Sequence, residues 1–459
     1  MEKKKIIVLG AGISGLSAAW YLSQTSLPLD ILILEKSNRI GGLFHTDHTT
    51  GFHFEKGPRT FKIDHCSTTL QLAEELGLLK EIIYSGNLPH NRYLWWNEKL
   101  HKFPTNLISF LWSPLTKGFI KALIAEWKRP TKQGDETVWE FVLRRFNYDV
   151  AQRLFDPMVV GIFGGDPRFI SIRALFPKLK EWEEEYGSIT KGFLKHWLQK
   201  KRAPKKSPYL PNAPLSAMFS FREGIEQLTS TLLTKTPASI YYQHEAQEIV
   251  QTEKKVVVKT NQGEFTADYV FCALPALQAG SLFIKNMPSF GKELISLKSE
   301  GIIVLNFGYK EHVLPVEGFG YLIPHSTRED ILGVVFDSSI FKQHNSYPQE
   351  TRLTIKLKDL GQSEEEAIQT ALLSIRRHLK ISMQPDVVSF KKVLSAIPQY
   401  TVGHLERIES LYPKFQQKMP RCHLLGNYLI GVGVDHCIRH AKETVQNWHK
   451  NCSNHFLIL

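Results

Sequence analysis

An apolar run, Lys5-Ile6-Ile7-Val8-Leu9, leads straight into Gly10-Ala11-Gly12-Ile13-Ser14-Gly15 and then into an Ala-rich helical pattern. A second apolar run, Asp30-Ile31-Leu32-Ile33-Leu34, ends at Glu35, twenty residues after Gly15. A strand entering Gly-x-Gly-x-x-Gly, a helix, and a strand ending in an acid make a dinucleotide-binding βαβ unit. Gly10 suits the tight turn. Gly12 lets backbone approach a pyrophosphate, and Gly15 lets the helix pack close to the strand. Ala11, Ile13 and Ser14 complete a cradle at a helix N-terminus, whose free N–H groups and dipole favour phosphate. Glu35, followed by Lys36, is placed to accept hydrogen bonds from ribose hydroxyls.

Arg39-Ile40-Gly41-Gly42-Leu43 follows closely. Two glycines let a loop pass near the pyrophosphate, and Arg39 can offset its charge. An ordinary turn with a surface Arg is the plain alternative. Here the chain resembles the FAD-dependent amine oxidase and phytoene desaturase superfamily, whose second motif is Arg-x-Gly-Gly just past the acidic residue. The resemblance implies FAD, held without a covalent link. It also implies that Gly57-Pro58-Arg59-Thr60 is a turn lying against the flavin ring system. Without the resemblance it reads as a plain Gly-Pro turn.

Other segments narrow the resemblance to the porphyrinogen oxidases within that superfamily. Arg92 to Pro104 reads as a hairpin, and in that family an Arg at its start is associated with a substrate propionate. Phe155-Asp156-Pro157 followed by Gly161-Ile162-Phe163-Gly164-Gly165-Asp166 matches a family segment. Its adjacent glycines would let a flat substrate face approach backbone at Gly164; a helix C-cap and turn is the alternative. Val250 matches the position whose backbone meets the adenine. Gly426-Asn427-Tyr428 through Gly431-Val432-Gly433-Val434 and Cys437 matches the closing signature. Gly431 to Val434 is expected to begin a helix aimed at the flavin pyrimidine carbonyls. The family often has Asp or Asn where His436 stands. No catalytic residue is assigned, because the cofactor supplies the chemistry.

At 459 residues the chain needs two or three domains. The expected class is α/β: a Rossmann-like FAD-binding domain, a mixed-sheet substrate domain and a helical, membrane-facing insertion. Residues 1–75, 222–290 and 395–459 are assigned to the first, 76–106, 207–221 and 291–394 to the second, and 107–206 to the third. A helix is expected over 67–79, with Ser67 or Thr68 as N-cap, and Tyr321-Leu322-Ile323-Pro324 as a strand edge facing the pocket.

A net charge of +12 admits nucleic acid, an anionic membrane, an anionic substrate, or a cationic surface that serves solubility. No nucleic-acid module motif appears, so that partner is set aside. Trp112, Trp127 and Trp197 stand near Lys200, Lys201, Arg202, Lys205 and Lys206. Such a mixture suits an interfacial membrane surface; amphipathic helices burying one face in protein are the alternative. No stretch reaches the roughly 18 apolar residues of a spanning helix. The five cysteines are odd in number, widely spaced and without Cys-x-x-Cys, which reads as reduced thiols in an intracellular protein. The eighteen histidines form no metal motif.

The resemblance, spanning nearly the whole chain, implies oxidation of protoporphyrinogen IX to protoporphyrin IX with dioxygen as acceptor, a late step of haem biosynthesis. Coproporphyrinogen III oxidation is the runner-up; an amine oxidase and a silent porphyrin-binding flavoprotein are further alternatives. Expected partners are the porphyrinogen, dioxygen, an anionic membrane, a downstream chelatase and a second copy in a homodimer. The expected location is cytoplasmic, peripheral on the inner face of the cell membrane.

Overall fold

The computed structural model describes residues 3–49, 51–85, 91–200 and 206–456. Lys201, Arg202 and Lys205 of the basic cluster therefore lie outside the described residues.

The first apolar run forms the strand Lys4–Leu9, central in a five-stranded parallel sheet. Leu29–Leu34 and Tyr269–Cys272 flank it, with Ser239–Tyr241 and Cys422–Leu424 outermost. Ile6 and Val8 point into one apolar core, Ile7 and Leu9 into another. Both faces are covered, which is why these strands are apolar throughout rather than alternating. Helices Ile13–Ser23 and Val434–Phe456 pack together on the first face.

Segments 76–82 and 213–221, given to the substrate domain by the sequence reading, pack into this nucleotide-binding core. Strand Met218–Phe221 lies between Phe61–Lys62 and Ile82–Tyr84, and the Phe61 and Phe219 rings stack at 4.9 Å. The helix over 67–79 is shorter than expected, Ser67–Glu75, and its N-cap is Cys66, which offers no side-chain bond. The cap comes from far along the chain: Asp435 accepts the Thr69 N–H at 2.7 Å and its hydroxyl at 2.9 Å.

A seven-stranded mixed sheet forms the second unit, in the order 387–398, 299–309, 351–358, 331–336, 320–322, 92–96, 99–102. The last two strands form the expected hairpin, with Asn97 and Glu98 at positive φ in its turn. Gly320–Leu322 is not a strand edge. Strand Arg92–Trp96 pairs with it in parallel and Ile331–Phe336 on the other side, so Tyr321 is buried and bonds His378 at 2.9 Å. One face of the sheet carries Leu353, Ile355, Leu357, Ile303 and Leu305 and packs against helix Glu364–Leu379. Strand alternation sends Thr354, Lys356, Asn306, Val304 and Leu322 to the opposite face.

Residues 107–200 form a helical unit with its own core of Phe119, Phe141, Val142, Phe155 and Ile172. A buried ion network holds it. Arg145 pairs with Glu126, which also accepts from Ser188 Oγ at 2.6 Å and the Ile189 N–H at 2.8 Å. Residues Ala151–Phe155 make a π turn that runs into helix Asp156–Phe163. Among the described residues, no helix is long and apolar enough to cross a membrane.

Candidate active site

The glycine turn is built as its spacing demands. Gly10 has φ +92°, open to glycine and strained for others. A Cβ on Gly15 would stand 1.9 Å from the Gly10 carbonyl oxygen. Helix Ile13–Ser23 starts at Gly12 with no side-chain cap and no acid in its first turn. Its free N–H groups thus offer an anion site.

The loop after Glu35 folds over this turn. Gly41 N–H donates to Ala11 O at 2.8 Å, and Gly12 and Gly41 bridge in parallel. Gly41 and Gly42 both have positive φ, and Gly42 is exposed beside Gly12. Glu35 accepts from Ala11 N–H at 2.8 Å and from Ser37 N–H at 2.9 Å, which sets its carboxylate at the rim of the turn. Lys36 is exposed there. Arg39 acts as a clamp on the loop: it donates to Gly42 O at 3.0 Å and to Phe44 O, and pairs with Glu226 at 3.3 Å. Segment 241–244 runs beside Glu35 and Ser37 through backbone bonds. Val250 lies further on, in strand Ala246–Gln251, opposite Val257.

The Gly57–Thr60 turn meets the same loop. A Cβ on Gly57 would stand 2.0 Å from Leu43 O, so glycine permits the contact. Pro58 and Thr60 are half-buried, while Arg59 is buried and pairs with Asp337 at 3.2 Å. This ion pair ties the nucleotide unit to the sheet. Thr354 Oγ1 donates toward Asp337 at 2.7 Å and lies 2.6 Å from Asn306 Oδ1. Asn306 is 1% exposed, and its Nδ2 has no partner among the described residues.

The closing signature comes to the other side of the glycine turn. Helix Val434–Phe456 begins at Val434, as expected, with Val432 half-buried and Gly433 exposed before it. The His436 ring covers Gly431 and Gly433, where a Cβ on Gly431 would meet its Cγ at 2.7 Å. Cys437 contacts Ser14, and burial pushes its thiol up to about 11. It is a packing thiol at neutral pH.

Two substrate-side residues of the sequence reading fall elsewhere. Arg92 is exposed at the start of its strand, 5.5 Å from the Phe319 ring centroid. Gly164 ends helix Asp156–Phe163 in the left-handed region, φ +65°, facing Ile302 and Ile397. The bare faces of Gly161 and Gly165 are filled by protein: an added Cβ would meet Leu322 at 2.2 Å and Gln399 at 1.9 Å. Glycine here makes room for the sheet's own side chains, so the helix can lie on it.

The sequence reading missed Glu226, Asn306, Asp337 and Lys356. The alternation Leu353-Thr354-Ile355-Lys356-Leu357 marks Lys356 as facing away from a core. Nothing local says that this face meets the nucleotide unit.

Turn, uncapped helix, ribose-side carboxylate and glycine loop fit a flavin dinucleotide. Gly42 and Gly433 are exposed on either side of the glycine turn, and neither carries a side chain to obstruct such a ligand. The fold and site define a flavin-dependent oxidoreductase. The chain belongs to the family described as flavin containing amine oxidoreductase, whose model matches residues 13–447. It is an oxidoreductase enzyme, and FAD is its cofactor. It is 30% identical to the protoporphyrinogen oxidase of Homo sapiens, covering 96% of this chain and 97% of that one. It is 26% identical to the coproporphyrinogen III oxidase of Staphylococcus aureus, covering 96% and 97%. A crystal structure from Exiguobacterium sp., provisionally named a protoporphyrinogen oxidase, shares the fold. Its TM-score is 0.84 at 23% identity, covering 98% of this chain and 100% of that one.

Proposed function

We propose that this enzyme oxidises a porphyrinogen to the porphyrin, with dioxygen as final acceptor, and that protoporphyrinogen IX is its substrate. The observation that carries this reading is similarity to porphyrinogen oxidases over 96% of this chain and 97% of each relative, on a fold that keeps the whole cofactor cradle. When bound, FAD supplies a two-electron acceptor for hydride from a substrate carbon.

The chain's own residues do the rest. With FAD bound, Glu35 would hold ribose hydroxyls, and the N–H groups of Ile13 and Ser14 would hold the pyrophosphate. Arg39 keeps the glycine loop closed by holding its carbonyls. Arg59 and Asp337 lock the Gly57–Thr60 turn to the sheet. Helix Asp156–Phe163 lies on the sheet at Leu322. Arg92, exposed and free of ion-pair partners among the described residues, is the proposed partner of a substrate propionate, which its planar fork suits.

The helical unit supports peripheral attachment to an anionic lipid surface on the cytoplasmic side. Trp112 is 84% exposed, Ile108 73% and Ile124 70%, with Phe193 and Leu198 also exposed. Basic residues near an anionic surface contribute about 1 kcal/mol each. Salt-sensitive flotation with anionic but not neutral vesicles is the expected result.

The deciding experiment is aerobic turnover of protoporphyrinogen IX and coproporphyrinogen III side by side, followed by porphyrin fluorescence and peroxide yield. Preference for coproporphyrinogen III would establish the second reading, which its close relative in S. aureus favours. Bound FAD with turnover of neither would leave an amine oxidase or a silent flavoprotein.

A further inference from the structure

The mixed sheet buries only one face in its own core. On strand Thr351–Lys358 the other face carries Thr354, Lys356 and Lys358 after the buried Arg352. One end of this face is closed by the Arg59–Asp337 pair, the other by helix Asp156–Phe163 lying on Leu322. Lys356 stands between them, half-buried, opposite Val304 on one neighbouring strand and Gly333 on the other. Its two companions are engaged. Thr354 bonds Asn306 and Asp337, and Lys358 Nζ lies 3.2 Å from His325 Nε2. Lys356 has no hydrogen-bond or ion-pair partner among the described residues. A cationic side chain on a covered face, with none of the described residues to hold it, is placed for a ligand.

Burial and the nearby Arg59 guanidinium push this amine down to about 8, against a smaller opposing pull from Asp337. The other titratable groups on packed elements are Arg352 and Lys358 on its own strand and Lys391 on strand 387–398. Asp156 comes from the helical side, and His325 from the turn that follows strand Gly320–Leu322. The amine is therefore more readily neutral than an ordinary lysine, as a proton acceptor requires.

Building on the porphyrinogen reading, we propose that Lys356 is a catalytic residue whose neutral amine takes the pyrrole N–H proton as the macrocycle is oxidised. In the first two-electron step a meso C–H bond breaks and its electron pair leaves with the hydrogen as hydride to FAD. A pyrrole N–H bond breaks, its electrons enter the new ring double bonds, and its proton forms the third N–H bond of the Lys356 ammonium. The ammonium returns that proton to water before the next cycle.

The test uses the FAD-loaded enzyme and its Lys356→Met, Lys356→Arg and Lys356→Ala variants, with FAD content and melting temperature checked first. A general base contributes about 10²–10⁴-fold, so Met and Arg should both lower kcat by roughly a hundredfold or more while KM moves little. Arg keeps the charge and cannot deprotonate. Wild-type kcat/KM should rise through about pH 8, and the variants should lose that limb. Ethylamine should restore Lys356→Ala in proportion to its free base. Trace acetylation of the loaded wild type, read by mass spectrometry, gives a measure independent of turnover. Lys356 should react with a midpoint near 8, well below the ordinary lysine value of about 10.4.

Full rescue by Arg, or a loss confined to KM, would make Lys356 a carboxylate anchor and overturn the proton role. An ordinary acetylation midpoint would overturn it as well. Wild-type enzyme that oxidises neither porphyrinogen overturns the underlying reading and this role together; turnover indifferent to Lys356 overturns the role alone.

Discussion

Two neighbouring glycines should fail in different ways when each is given one methyl group. In Gly15→Ala the new Cβ would stand 1.9 Å from Gly10 O and 3.3 Å from Ala273 Cβ. Non-bonded heavy atoms settle near about 3.5 Å, so the first turn of helix Ile13–Ser23 must retreat by more than about 1 Å. Overpacking of this kind costs about 1–3 kcal/mol. The better helix propensity of Ala returns up to about 1 kcal/mol. The net loss is about 1–2 kcal/mol in the cofactor-free protein, seen as a melting temperature lower by a few degrees. The retreat also carries N–H donors away from the pyrophosphate. One lost hydrogen bond to a charged group is worth about 1.5–3 kcal/mol, so FAD should bind roughly ten- to a hundredfold more weakly. Gly12→Ala differs. Gly12 has φ −79°, and the nearest atom to an added Cβ is Gly42 Cα at 4.0 Å. The cofactor-free protein should melt as wild type, yet FAD affinity should drop, because the methyl group enters the space kept for the pyrophosphate. Fluorescence titration of the stripped protein with FAD, paired with thermal melts, reads both. Wild-type melting and affinity in Gly15→Ala would refute the close-packing argument. Wild-type affinity in Gly12→Ala would refute the placement of the pyrophosphate.

Arg92→Ala should raise KM roughly ten- to a hundredfold with FAD content unchanged, the loss of one Arg–carboxylate contact of about 1.5–3 kcal/mol. Arg92→Lys should recover only part of it, and wild-type kinetics in the Ala variant would return Arg92 to a surface strand end. Asp435→Ala removes the bond that caps helix Ser67–Glu75 and strands the buried Thr69 N–H, at about 1–3 kcal/mol; equal melting temperatures would contradict the cap. His53 and His344 stack at 3.7 Å, and burial pushes both down to about 2, with Arg352 adding to the effect on His53 and His53 itself on His344. Both stay neutral in the fold while the unfolded chain takes up protons below about pH 6.5, so stability falls as pH drops. Each should cost about 1 kcal/mol between pH 6.5 and 5.5, and His344→Phe should flatten that acid limb in urea melts; an unchanged slope would show that His344 charges freely.

Much of the nucleotide unit was legible in the chain itself. Its βαβ spacing, its glycines and Glu35 lie within some thirty residues, and their geometry is set by local backbone rules that glycine satisfies and other residues do not. The hairpin from Arg92 and the helix start at Val434 were readable for the same reason. Other features depended on partners far away in sequence. The helix cap at Thr69 is supplied by Asp435, and the clamp on the Arg39 loop involves Glu226. Tyr321 sits inside its sheet because strand Arg92–Trp96, more than two hundred residues earlier, closes that edge. The glycines near 161 read as bare backbone for a ligand, yet packing against Leu322 and Gln399 takes that space. Lys356 shows the division most plainly. A two-residue period places it on the face away from the core, because strand geometry is local. Whether that face meets water, protein or a cofactor site depends on what packs across it. Only the folded chain brings Arg59 and helix Asp156–Phe163 to its two ends and leaves the lysine between them without a partner among the described residues.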